Sequence, residues 1–139
     1  MANNSIVRQV YKGTWTFPIL LVNMTVSGEV VTDFLPGFAG RIVKWYWIQN
    51  TAVTTGGKSA ALDLEINERS VTSGVGTATS IALASATCTP LGKVIEGSAI
   101  GGGTARFNAT DTISIESTVT VAFAEGAGSI VIEYEGKVL

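Results

Sequence analysis

Hydrophobic and polar residues alternate with a period of two over much of this chain, the pattern of half-buried β-strands. The alternation is plainest in Gly40 to Asn67, which reads as two long strands joined by a polar, glycine-bearing turn. The first strand, Arg41 to about Asn50, is dense in the β-branched and aromatic residues that fit a pleated surface. The turn, Thr54 to Ser59, carries Gly56 and Gly57, which reach positive φ without steric cost. The second strand sets Leu62, Leu64 and Ile66 on one face and Asp63, Glu65 and Asn67 on the other. Together these segments predict a central hairpin.

The flanks follow the same logic. Thr14 to Thr25 is apolar on both faces in its middle, as in a covered strand, and Pro18 confines it to an edge or a strand start. Glu29 to Leu35 predicts a strand with Val31 and Asp33 on one side and Val30, Thr32 and Phe34 on the other. Pro36-Gly37 then marks a turn. Arg69 to Ser73 and Ile81 to Ala84 predict short strands. Pro90, preceded by Thr87 and Thr89 as candidate caps, allows one helical turn. Gly101 to Gly103 predicts a loop and lacks the Lys-Ser/Thr of a phosphate-cradling P-loop. In the last third, Thr112 to Glu116, Val119 to Phe123 and Ser129 to Glu135 predict three strands, the last two joined by a tight turn at Glu125 to Gly128.

Short strands at regular spacing with turn signals between them predict a single all-β domain, an antiparallel sandwich or barrel. The expected core is Leu62, Leu64, Ile66, Ile113, Ile115, Val119, Val121, Phe123, Ile130, Ile132 and Tyr134. Residues 14–139 form the expected sandwich. Residues 1–13 are polar and aperiodic, and predict an N-terminal arm or tail whose removal leaves the fold intact.

Composition narrows the function classes. Only 14% of residues are charged, against about a quarter in an average domain. Scarce charge suits either a surface that is covered in an assembly or a compact monomer with a Thr/Ser-rich surface. The net charge of −2 and the scattered Lys and Arg argue against nucleic acid as a partner. No apolar run approaches the ~20 residues of a membrane span, so no membrane partner is expected. The N-terminal segment makes a poor signal peptide, which predicts a protein not secreted by the usual route. The absence of histidine removes the commonest general base and the usual zinc ligand. The single cysteine, Cys88, sits among small residues and reads as a buried small hydrophobe. No cofactor, metal or enzymatic role is expected.

Two carboxylate pairs, Asp63 with Glu65 and Glu133 with Glu135, share strand faces. Such pairs can run glycoside hydrolysis or bind calcium, but the same spacing describes a solvated sheet face, with Arg41 and Lys44 as cross-strand partners. The aromatic run Trp45-Tyr46-Trp47 is more pointed. Trp45 and Trp47 share one face, and Tyr46 joins Ile42 and Ile48 on the other. One face fills a core, and what remains outside is a half-exposed ring, a subunit or partner interface, or a sugar-stacking platform. Arg8, Tyr11, Lys12 and Trp15 in the arm, with Trp45 and Trp47, are the interface candidates.

The segments Ala86–Ile100 (ATCTPLGKVIEGSAI) and Phe107–Tyr134 (FNATDTISIESTVTVAFAEGAGSIVIEY) resemble small β-sandwich virion proteins of tailed bacteriophages, in particular capsid decoration (cement) proteins. The resemblance spans Gly40 to Tyr134 and rests on strand-and-turn texture with the T-P-L-G and D-T-I-S segments. It implies a jelly-roll-like sandwich, often a homotrimer, made in the host cytoplasm and seated on the outer capsid surface. Its partner would be the major capsid protein, whose neighbouring capsomers it would clamp. The runner-up is a carbohydrate-binding or host-recognition β-sandwich.

Overall fold

The computed structural model describes residues 9–73, 78–101 and 103–138. Its strands are β1 (Gln9–Leu20), β2 (Gly28–Phe34), β3 (Gly40–Thr51), β4 (Ser59–Ile66), β5 (Arg69–Ser70), β6 (Ser80–Ala84), β7 (Val94–Glu96), β8 (Arg106–Phe107), β9 (Ile113–Val121) and β10 (Ala127–Val138). They form two five-stranded antiparallel sheets packed together, so of the two architectures that the alternation allows the chain adopts the all-β sandwich. One sheet runs β1-β10-β3-β7, with β8 also on β3; the other runs β2-β9-β4-β5, with β6 also on β4. Pairing is nested: β1 with β10, β2 with β9, β3 with β7 and β8, β4 with β5 and β6. Among the described residues no helix is long and apolar enough to cross a membrane.

The expected central hairpin is not one. β3 and β4 have the expected extents, but they lie in different sheets. Ala52–Lys58 is an arch across the sandwich, with Gly57 at φ +76° and Val53 buried inside it. The reason is burial. As a hairpin, the apolar faces of both strands would lie on one sheet and need a third element to cover them. As an arch they cover each other. The Glu125–Gly128 turn likewise joins β9 to β10 across the sheets rather than within one.

Bulges correct the parity expected within strands. The β10–β3 register shifts between Glu133 and Tyr134, which pair with Lys44 and Ile42, leaving Val43 extra. Ile42 therefore turns inward beside Trp45 and Trp47 instead of outward with Tyr46. β2 is irregular twice, with Asp33 at φ +43°, so Val31 and Phe34 both pair with inward-facing isoleucines of β9. β9 is one strand where two were expected. Within it Ile113 and Ile115 are buried as expected, while Val121 at its end is 42% exposed and leaves the core list. The segment around Pro90 forms turns rather than a helical turn. There Thr87 Oγ1 donates to the carbonyl of Ala84 and Thr89 Oγ1 to that of Ser85.

The boundary at residue 13 also moves. Gln9 to Gly13 already belong to β1, in unbroken register with Val138 to Tyr134 of β10. Deleting residues 1–13 would therefore strip rungs from the sandwich, and the expected arm falls otherwise on residues 1–8, outside the described residues. β1 is an edge strand, and Pro18 sits on it opposite Ser129, where its missing N–H breaks no inner ladder.

The core centres on two indoles. Trp45 and Trp47 are 1% and 0% exposed. Burial of an indole demands a partner for its N–H. Trp45 Nε1 donates to Thr79 Oγ1 at 3.0 Å, and Trp47 Nε1 donates to Gln49 Oε1 at 2.6 Å. Room for the rings comes from missing side chains: a Cβ at Gly97 would run into the Trp45 indole, and one at Gly128 into that of Trp47. Gly128→Ala is accordingly expected to cost about 1–3 kcal/mol by overpacking, read as a lowered urea midpoint. An unchanged midpoint would show that the indole has space to yield.

Candidate functional site

The predicted interface residues part company. Trp45 and Trp47 have no ring face to offer a partner or a sugar, because the opposing sheet covers both. Their place in the core corrects the expectation for them. Tyr46 is the aromatic that faces outward, and Lys44 Nζ lies 5.4 Å from its ring centroid while bonding Glu96 at 3.0 Å. Glu96 accordingly holds the Lys44 ammonium above its ordinary pKa.

Trp15 closes a seam. β1 and β2 are the free edges of their sheets on the same side of the sandwich. Between them Trp15 stacks on Tyr134 at 4.3 Å and meets Phe34 edge-on at 5.0 Å, with Phe107 at 5.6 Å. Phe17 meets Phe34 edge-on at 5.4 Å. Gly13 lies opposite Tyr134, and any Cβ there would strike its ring. Tyr11 sits in the ladder opposite Gly136, and exposed Lys12 lies 3.9 Å from Glu135. Arg8 is outside the described residues. The structure therefore places Tyr11, Lys12 and Trp15 on one edge strand, and Trp15, in line with Trp45 through Ile132, packs against the core that holds Trp45 and Trp47.

The carboxylates sort by sheet. Glu135 accepts from Arg41 Nε at 3.0 Å, the cross-strand pairing expected of Arg41. Asp63, Glu116 and Glu29 follow one another across β4, β9 and β2 on the other sheet. Glu65 is buried there, where Ser114 Oγ donates to it at 3.2 Å. Burial pushes its carboxyl above the ordinary value, with Glu116, Asp63 and Glu29 adding to the push against the pull of Ser114. Among the described residues no group of three or more acids or cysteines is arranged to hold a metal ion.

Sequence reasoning missed the two ends of the sandwich. Five of the eight large apolar side chains that stay exposed among the described residues gather at one end: Leu20, Val22, Val26, Leu91 and Val121. The loops there are tied together. Leu21 N donates to Gly126 O, and Val119 N donates to Ser27 Oγ. Glu125 accepts four bonds, from the backbone N–H of Thr54 and Thr55 at 2.7 and 2.6 Å and from both hydroxyls. The one signal in the sequence was the run Ile19-Leu20-Leu21-Val22, too long an apolar stretch for a single inward face. At the opposite end Arg41, Arg69 and Arg106 line two adjoining clefts with Arg106 shared between them.

Bonds from Thr55 and then Thr54 hold the Glu125 carboxyl below its ordinary pKa. A carboxyl with a depressed folded value stabilises above its unfolded pKa, and the contribution vanishes as pH falls through the folded value. Glu125→Gln should therefore lower the melting temperature at neutral pH and lose less of it than the parent between about pH 6 and pH 3. Parallel melting curves for the two proteins would show that Glu125 does not brace this end. Comparison of the chain with protein-family models, with curated proteins and with solved structures finds no match to any of them.

Proposed function

We propose that this chain is a structural virion protein of a tailed bacteriophage. In this reading it binds the major capsid protein on the outer surface of the capsid and stabilises the shell by bridging neighbouring capsomers. The observation that carries the reading is the braced apolar end: Leu20, Val22, Val26, Leu91 and Val121 on loops held by Glu125 and by the ladder ends. Such a surface loses little conformational freedom on docking and gains from burial of apolar area. The nested pairing of β1 with β10, β2 with β9, β3 with β7 and β4 with β6 supports the jelly-roll form of the sandwich that the resemblance implies. The same resemblance makes the free protein, or the protein on the shell, a homotrimer. Linked copies then bind with an avidity that no single contact of about 800 Å² per partner supplies. The chain acts by binding and needs no cofactor.

The sugar-stacking alternative rested on Trp45 and Trp47, and their burial leaves it without a platform. The test is co-sedimentation of the purified protein with undecorated shells of the phage that encodes it. Val26→Asp and Val121→Asp should abolish binding while leaving the melting temperature within about 2 °C of the parent, since both residues are exposed. Failure of the parent to bind, or equal binding by both variants, would refute the reading.

A further inference from the structure

The charged end carries a second site, independent of the shell-binding reading. Arg69 lies on β5 and Arg106 on β8, strands of different sheets, and both line one polar cleft of about 490 Å³. Among the described residues neither has a carboxylate within ion-pairing distance, whereas Lys12, Lys44 and Arg41 all do. Arg106 is also the direct cross-strand partner of Arg41, a like-charge pairing that disfavours the folded state. Glu135 relieves Arg41 and is shared with Lys12, and among the described residues no carboxylate forms an ion pair with Arg106.

The one carboxylate on the cleft wall, Asp111, is engaged on both oxygens. Asn67 Nδ2 donates to Oδ1 and the Asn108 N–H donates to Oδ2, each at 2.7 Å. Glu68, beside Arg69 in the two-residue turn between β4 and β5, forms no ion pair with it. The walls are fixed relative to each other. Thr104 Oγ1, two residues from Arg106, donates to the Thr72 carbonyl, three residues from Arg69, at 2.9 Å. Asn67 is locked to Thr112 through backbone and side chain. Two unpaired guanidinium groups on a braced polar cleft match the fork geometry with which arginine takes up an oxyanion.

We propose that this cleft binds an oxyanion, a phosphate or carboxylate group, between Arg69 and Arg106. The site follows from placement rather than from charge alone: the chain as a whole is net negative, yet the two arginines without an ion pair among the described residues share one cleft.

The test is an NMR titration of the 15N-labelled full chain with inorganic phosphate, and separately with acetate, at constant ionic strength. Saturable shifts confined to Arg69, Ser70, Thr104 and Arg106 are the expected result, and the stronger of the two anions identifies the class. Arg69→Gln and Arg106→Gln should each weaken binding about tenfold or more, and Arg69→Lys should fail to restore it, because an ammonium is a point charge. Both arginines are exposed, so the variants should fold, as their dispersed spectra would confirm. Absence of saturable shifts with both anions, or undiminished affinity in either glutamine variant, would overturn the two-arginine site.

Discussion

Burial of two indoles between two sheets is the constraint on which the rest of this structure depends. Trp45 and Trp47 lie on β3, in the middle of its sheet, and a ring of that size on an inner face needs a second sheet above it. Their N–H groups need partners inside the core, so Thr79 and Gln49 are buried polar residues that would otherwise be costly. Their volume needs gaps, so Gly97 and Gly128 face them. Four separate positions thus answer to two side chains. The β3–β4 arch follows from the same demand, because only an arch puts Leu62 and Leu64 over the sandwich interior opposite β3.

Nested pairing brings distant parts of the chain into register and leaves two kinds of end. At one, loops from four parts of the chain are drawn together by Glu125, Ser27 and backbone bonds, with apolar side chains left outside. At the other, short strands β5 and β8 carry arginines to a cleft between the sheets. The sides are quieter. The aromatic seam around Trp15 and Tyr134 closes one flank, and the remaining edges are short strands or the irregular β2, which limits edge-to-edge pairing. The binding roles proposed above therefore fall to the ends, where side chains are exposed on braced backbone.

The acid row on the second sheet shows how proximity without a ligand differs from a site. Glu65 lies beside Glu29, Asp63 and Glu116 and holds its proton more tightly, chiefly because burial disfavours its charge and further because the neighbouring acids repel it. That repulsion is a feature of a sheet face with too few cations. The arginine cleft differs in kind: its acid accepts from Asn67 and Asn108, while its cations have no ion-pair partner among the described residues.

The sequence by itself determined the strands and most of the core, because alternation records which face of a strand is dry. Leu62, Leu64, Ile113, Ile115, Ile130 and Ile132 are all fully buried where the pattern put them. Pro18 on an edge was legible for the same local reason, the missing donor. Tertiary structure alone decided which strands pair. A turn of given composition serves a hairpin or an arch equally well, and the choice depends on what covers the apolar faces. Bulges are also invisible to alternation, so Ile42 changed sides and Val121 left the core. The ends were illegible for a further reason. The apolar cap, the Glu125 brace and the Arg69–Arg106 cleft are each assembled from segments far apart in the chain, and only the nested ladder makes them neighbours.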